Sequence, residues 1–341
     1  MAFLRTLMRD SFWTLIRLSN TKNMLEPIRL CRIPHINRGF FLCFLLLPLM
    51  SLLPACSGKT IPGGGADGRR SPLPRIVVSI LPQTYFINRI AAERVEVTVL
   101  TGPGQNPHDY EPSPRQMAAL AEARAWILSG AEFETALRPK VEAVFPVLSI
   151  RDGAGGVVFR TLEEPGEHEG QDHEDGIDRH TWLGREPTKI LAGHILEVLL
   201  DLKDGGAALY RKNYEELIRD IDGEFDRLQE ELAFLDGKTV FVYHPAFGYF
   251  LDEFGITQKA VETGGKEPTP RLLARLIAEV RDQRPQAVFV QAQFPAEAAR
   301  AVAKAAGAEL AVLDPLAPDW LENIRRMGRI LRQAAAPVQK E

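Results

Sequence analysis

The sequence predicts an α/β protein of two lobes, each a parallel β-sheet flanked by helices, joined by one long rigid linking helix. Three observations carry this. Short β-branched runs alternate with helical stretches from residue 75 to residue 313, the pattern of parallel strands crossed over by helices. The alternation stops between residues 207 and 235, which contain no proline and a single glycine, Gly223. Within that stretch Leu217, Ile221, Phe225, Leu228 and Leu232 recur at three- and four-residue steps. They form the apolar face of one amphipathic helix, which at 1.5 Å per residue spans about 40 Å.

Ahead of the lobes, residues 1–38 carry seven basic and two acidic groups, and 39–54 carry no charge. The apolar run ends Leu53-Pro54-Ala55-Cys56. A basic stretch, an apolar stretch and a small residue at the cut describe an export signal. At roughly 16 residues the apolar run is short for a membrane span of about 20. Cys56 after a small residue resembles a bacterial lipobox, in which the thiol is acylated and becomes the new N-terminus. Residues 1–55 are therefore expected to be a lipoprotein signal peptide, with Met24 as an alternative start. Residues 56–74, rich in Gly, Pro and Ser, read as a flexible tether. Lobes are expected at 75–205 and 237–335, with the linking helix at 206–236.

In chain order, strands are expected at 75–80, 95–100, 125–129 and 147–150, and then at 239–243, 287–290 and 310–313. Helices are expected at 85–92, 115–124, 187–202, 270–282 and 295–306. Ser113-Pro114 supplies an N-cap and a first-turn proline to the second of these.

Composition narrows the function. The body after residue 55 keeps 34 basic and 43 acidic groups, a net charge near −9, with no basic stripe to meet a nucleic acid. Of three cysteines, two fall in the leader and the third is Cys56. The mature body therefore has no disulfide and no thiolate for a metal.

Histidines offer the remaining chemistry. His108 lies in a proline-stiffened loop, 106–114, just past the second strand. His244 ends the strand at 239–243 and is followed by aromatic residues. His180 follows the acidic tract 163–179, and Asp314 follows the last strand. Ligands bind outside the carboxyl ends of strands in open α/β sheets. Singly, each residue is also what an ordinary turn or core would hold, and an aspartate after a strand is often a turn former. Three imidazoles and one carboxylate together make a closed tetrahedral shell for Zn²⁺, whereas calcium and magnesium call for oxygen-only sites. His168 and His173 sit in the acidic tract, where a low-affinity metal antenna is one reading and a solvated loop the other.

The segments NPHDYEPSP (106–114), HTWL (180–183), HPAFGYF (244–250) and LDPL (313–316) together resemble the metal-binding solute receptors of ABC transporters that carry zinc or manganese. The resemblance covers nearly all of 75–335, in order. It implies that His108, His180, His244 and Asp314 are metal ligands. It also implies that the ion is cargo and not a cofactor for catalysis, and that the partners are a permease and an ATPase, the protein itself being a monomer. A histidine at 244 resembles the zinc branch, since the manganese branch usually has a carboxylate there. In zinc members a His-rich loop stands where 163–179 stands. Departures are Arg179 in place of a proline, Gly184-Arg185 in place of Asp-Pro, Gln291 in place of a glutamate, and the missing disulfide. Two further readings stay open: an exported zinc hydrolase, although no His-Glu-x-x-His helix is present, and a lipid-anchored adhesin.

Overall fold

A computed structural model describes residues 72–162, 176–261 and 269–335, apart from positions 284, 286, 292 and 295. The leader, Cys56, His168 and His173 lie outside the described residues. Among the described residues no helix is long and apolar enough to cross a membrane.

The first lobe runs β1 (Arg75–Ile80), α1 (Pro82–Ala91), β2 (Glu96–Thr101), α2 (Pro114–Ala121), β3 (Ala125–Leu128), α3 (Glu132–Val144), β4 (Ser149–Asp152) and α4 (Arg185–Asp201). The linking helix α5 is Ala207–Leu232, continued by a 3-10 turn at Ala233–Leu235. The second lobe runs β5 (Thr239–Val242), α6 (Gly248–Asp252), β6 (Thr257–Ala260), α7 (Pro270–Gln283), β7 (Ala287–Val290), α8 (Ala296–Ala306), β8 (Glu309–Val312) and α9 (Trp320–Ala335). Both sheets are four-stranded and parallel, in the orders β2-β1-β3-β4 and β6-β5-β7-β8. The two lobes thus share one strand order without sharing a visible sequence repeat.

Strand periodicity sorts side chains onto two faces. On β1, Ile76, Val78 and Ile80 face the central core, and Val77 faces outward to α2 and α3. On β5, Val240 and Val242 face the centre while Phe241 and Tyr243 pack with α7 and α8. The inner faces of both sheets join one continuous core, which takes in Tyr210, Leu217, Ile221, Phe225, Leu228 and Leu232 of α5. Phe225 stacks on Phe254 at 6.1 Å and contacts Trp320, so the linking helix packs into the second lobe as well as the first.

Four elements go beyond the sequence expectations. Helix α3 forms around an internal proline, Pro139, which sits on the exposed side, where the lost N–H bond meets water. Helix α6 is five residues long and β6 is four, both below what periodicity resolves. Helix α9 packs Trp320, Ile324, Met327 and Leu331 into the central core against α5. Strand β4 lies two residues later than expected, and Val147 is left exposed.

Candidate metal centre

The side chains of the site come from loops at the carboxyl ends of the strands. His108 lies in a 3-10 turn, Pro107–Asp109, after β2, and Asn106 Oδ1 accepts its backbone N–H at 3.1 Å. A capping box between Ser113 and Gln116 starts α2 directly afterwards, fixing the far end of the same loop. His244 is delivered by β5. The buried Gln291 amide brackets its backbone, donating through Nε2 to His244 O at 2.6 Å and accepting from His244 N at 3.3 Å. His180 follows a neck in which Thr161 pairs with Ile177 and Asp178 N donates to Arg160 O at 2.9 Å.

The three imidazoles converge. His108 Nε2 and His244 Nε2 are 3.1 Å apart, His244 Nε2 and His180 Nε2 are 3.2 Å apart, and all three ligand atoms lie within 4.8 Å of one another. A tetrahedral zinc with Zn–N bonds near 2.05 Å places its nitrogens about 3.3 Å apart. Carboxylates hold the outer ring nitrogens of two of the three: Glu132 Oε2 is 3.1 Å from His108 Nδ1, and Asp178 Oδ1 is 2.9 Å from His180 Nδ1. Each carboxylate accepts an Nδ1–H and thereby assigns the tautomer. Two Nε2 lone pairs then point at the third imidazole, whose nitrogen can donate at most one proton between them. A cation at their meeting point resolves that conflict, so the donor set fits a metal.

Electrostatics favour a neutral His244 ring and charged carboxylates. Burial, with the nearby His180 and His108, pushes His244 well below the ordinary histidine value. Burial works against the Glu132 carboxylate, but the bond and charge of His108 outweigh it and hold Glu132 at about 2. Asp178 is fully buried, and again burial opposes ionisation. The bonds and charge of His180, with Arg160, overcome that and lower it. A divalent ion held by three neutral rings would meet these two negative charges one shell out.

The cleft is small and mostly apolar. Trp182, Phe294, Pro315 and Leu316 line it with the histidines and Arg179, and the space open to a water-sized centre is about 20 Å³. That volume admits one ion or one or two waters. Phe294 stacks on the His244 ring at 4.7 Å. Trp182 ties the lobes beside the site: its Nε1 donates to Pro315 O at 2.8 Å, and Trp320 Nε1 donates to Trp182 O at 2.6 Å.

Of the residues singled out from sequence, the structure gathers His108, His180 and His244. Asp314 stands outside that trio. Its Oδ1 accepts from Leu316 N at 2.9 Å and from Gln293 Nε2 at 3.0 Å, the bonds of a turn-forming aspartate. Gln291 acts on the backbone of His244 and is no ligand, and His194 bonds Gly155 O at 2.9 Å inside the first lobe. Glu132, Asp178 and Arg160 escape sequence reasoning. The one available signal is Asp178 two residues before His180, the spacing at which an aspartate bonds back to its own turn.

A two-lobed α/β body with histidines meeting in its cleft is the architecture of an extracytoplasmic metal receptor. Residues 76–334 match the family model described as zinc-uptake complex component A, periplasmic (ZnuA), and the chain belongs to that family. It is 26% identical to the high-affinity zinc uptake system protein ZnuA of Bacillus subtilis, over 80% of this chain and 87% of that protein. It is 25% identical to the manganese-binding lipoprotein MntA of Halalkalibacterium halodurans, over 73% of this chain and 80% of that one. A crystal structure of ZnuA superposes with a TM-score of 0.70 at 31% identity, covering 77% of this chain and 99% of that one.

Proposed function

We propose that the protein captures zinc outside the cytoplasm and hands it to an ABC-type importer, whose permease and ATPase subunits are its partners. The observation that carries this is the convergence of three Nε2 atoms, two with tautomers assigned by carboxylates, in a cavity sized for a single ion. Three nitrogen donors favour zinc over manganese, which binds more weakly in the Irving–Williams order and prefers oxygen. His108, His180 and His244 hold the ion. Asp314 has a lesser part: Oδ2, which has no hydrogen bond among the described residues, is the acceptor left to close a fourth position. The absence of a His-Glu-x-x-His helix from the sequence supports a receptor over a hydrolase.

Anchoring by an acylated Cys56 and weak metal capture by His168 and His173 belong to the same proposal. Metal analysis of the purified protein, followed by competition against a chelator of known affinity, tests its centre. The expected result is a single tightly held zinc per chain in the wild type and none in His244→Ala. Substoichiometric zinc, or zinc that survives His244→Ala, would overturn the assignment. Incorporation of labelled fatty acid, lost in Cys56→Ser, tests the anchor.

A further inference from the structure

Arg160 joins the two lobes behind the site. Its Nη1 donates to Asp178 Oδ2 at 3.0 Å, on the first lobe. Its Nε and Nη2 take the two oxygens of Asp252, at 2.9 and 3.3 Å, on α6 of the second lobe. The other oxygen of Asp178 accepts from His180 twice, from the backbone N–H and from Nδ1, both at 2.9 Å. An unbroken line of bonds therefore runs from Asp252 through one guanidinium and one buried carboxylate to a ring that presents Nε2 to the ion.

Helix α6 is shaped to receive this arginine. Tyr249 Oη accepts from Arg160 N and donates to Asp178 O, each at 3.0 Å. At Gly248 a Cβ would stand 1.8 Å from Arg160 Nη1, so the guanidinium lies where only glycine leaves room. Asp252 lies four residues after Gly248 and three after Tyr249, so it neighbours both on the helix surface, and all three follow His244 by four to eight residues. The guanidinium reaches three carboxylate oxygens through three separate nitrogens set in one plane, a spread that the single nitrogen of lysine does not have.

We propose that Arg160 is a positioning residue for metal binding, one that ties the orientation of His180 to the docking of the lobes. With the lobes together, Asp252 and Tyr249 hold Arg160, Arg160 holds Asp178, and Asp178 fixes the His180 ring before the ion arrives. Parting the lobes withdraws α6, frees Asp178 to turn, and loosens one of three ligands. Release then needs no attack on the ion itself. By linkage, zinc must strengthen the docking of the lobes by the same factor by which docking strengthens zinc binding. The inference rests on the reading of the histidine trio as a zinc site.

The test uses the purified chain with Arg160→Gln, Arg160→Lys and Asp252→Ala, the last at a side chain that is 53% exposed and bonded to Arg160. Zinc affinity is measured by chelator competition, the visible d–d spectrum is recorded after cobalt(II) substitution, and the metal-free protein is melted thermally. Arg160→Gln is expected to weaken zinc by about 10–100-fold, the range for loss of an outer-shell partner, and Asp252→Ala by roughly 3–10-fold. Arg160→Lys should recover less than half of the loss on a logarithmic scale. Both losses should come with an altered cobalt spectrum, and the double variant should bind no more weakly than Arg160→Gln alone, since both act along one route. Wild-type affinity and spectrum in Asp252→Ala, with only a lowered melting temperature, would make the bridge purely structural and overturn the proposal. Should Arg160→Gln not fold, Asp252→Ala decides alone. A wild type without stoichiometric zinc would instead bring down the metal-site reading, a separate and visible failure.

Discussion

In the first lobe both cleft histidines lean on carboxylates, Glu132 behind His108 and Asp178 behind His180. The second lobe treats its single histidine differently: His244 is packed flat against Phe294, is 4% exposed, and has its backbone bracketed by the Gln291 amide. The same strand order therefore carries two kinds of half-site. One lobe supplies charge to offset a dication, and the other supplies a dry wall and a ring held neutral by burial. An ion touching only the first half would keep water, and one touching only the second would lack compensation. On the proposed reading an ion needs both halves at once.

Experiments can break this contrast, beginning with the largest effect. His244→Ala removes a ligand and opens the dry wall; zinc binding by calorimetry should fall by far more than the about 10–100-fold that an outer-shell loss costs. Next come the carboxylates. Glu132→Gln and Asp178→Asn should each weaken zinc by about 10–100-fold. Asp178→Asn should also cost about 2 kcal/mol in urea unfolding, the scale of a lost charged hydrogen bond, since Arg160 keeps Asp252 but loses its buried anionic partner. Glu132→Gln should cost less, because water around its 47% exposed side chain screens the pairing with His108. Equal unfolding losses in the two variants would erase the distinction between a buried and a half-exposed carboxylate.

The pH dependence of the metal-free protein sharpens the contrast further. His244 has a folded-state pKa below its unfolded one, so the unfolded chain binds the extra proton. Its contribution to stability is present above about pH 6.5 and is lost as pH falls below that value. Glu132 has a folded-state pKa of about 2 against 4.5, and its contribution is lost between those values as pH falls. Thermal melts from pH 8 to pH 5 should decline, and His244→Gln should flatten the decline. A slope unchanged by His244→Gln would mean that another group titrates there. The smallest effect belongs to Asp314→Asn, whose turn bonds survive in an amide; zinc should weaken by less than about 10-fold. A loss as large as that of His244→Ala would make Asp314 a full ligand and the site four-sided.

Much of this is legible in the sequence. Most of the strands and the 26-residue helix α5 follow from local periodicity, and His108, His180 and His244 stand where strands end or loops stiffen. Asp314 looked the same from sequence, but an aspartate after a strand serves a turn or a metal with the same local pattern. The Gln293 amide and Leu316 N take its Oδ1 as a turn would, and leave Oδ2 to the proposal above.

By itself the sequence determined the two α/β halves, the helix between them and the three imidazoles, because period, chain breaks and residue type are properties of neighbours along the chain. Tertiary structure alone decided that Glu132 backs His108, that Arg160 spans Asp178 and Asp252, and that Trp182 joins the lobes through Pro315 O and Trp320. These partners lie 18 to 138 residues apart. Charge compensation and lobe docking are through-space quantities, set by which strand ends face each other across a cleft, and no spacing along one chain encodes that facing.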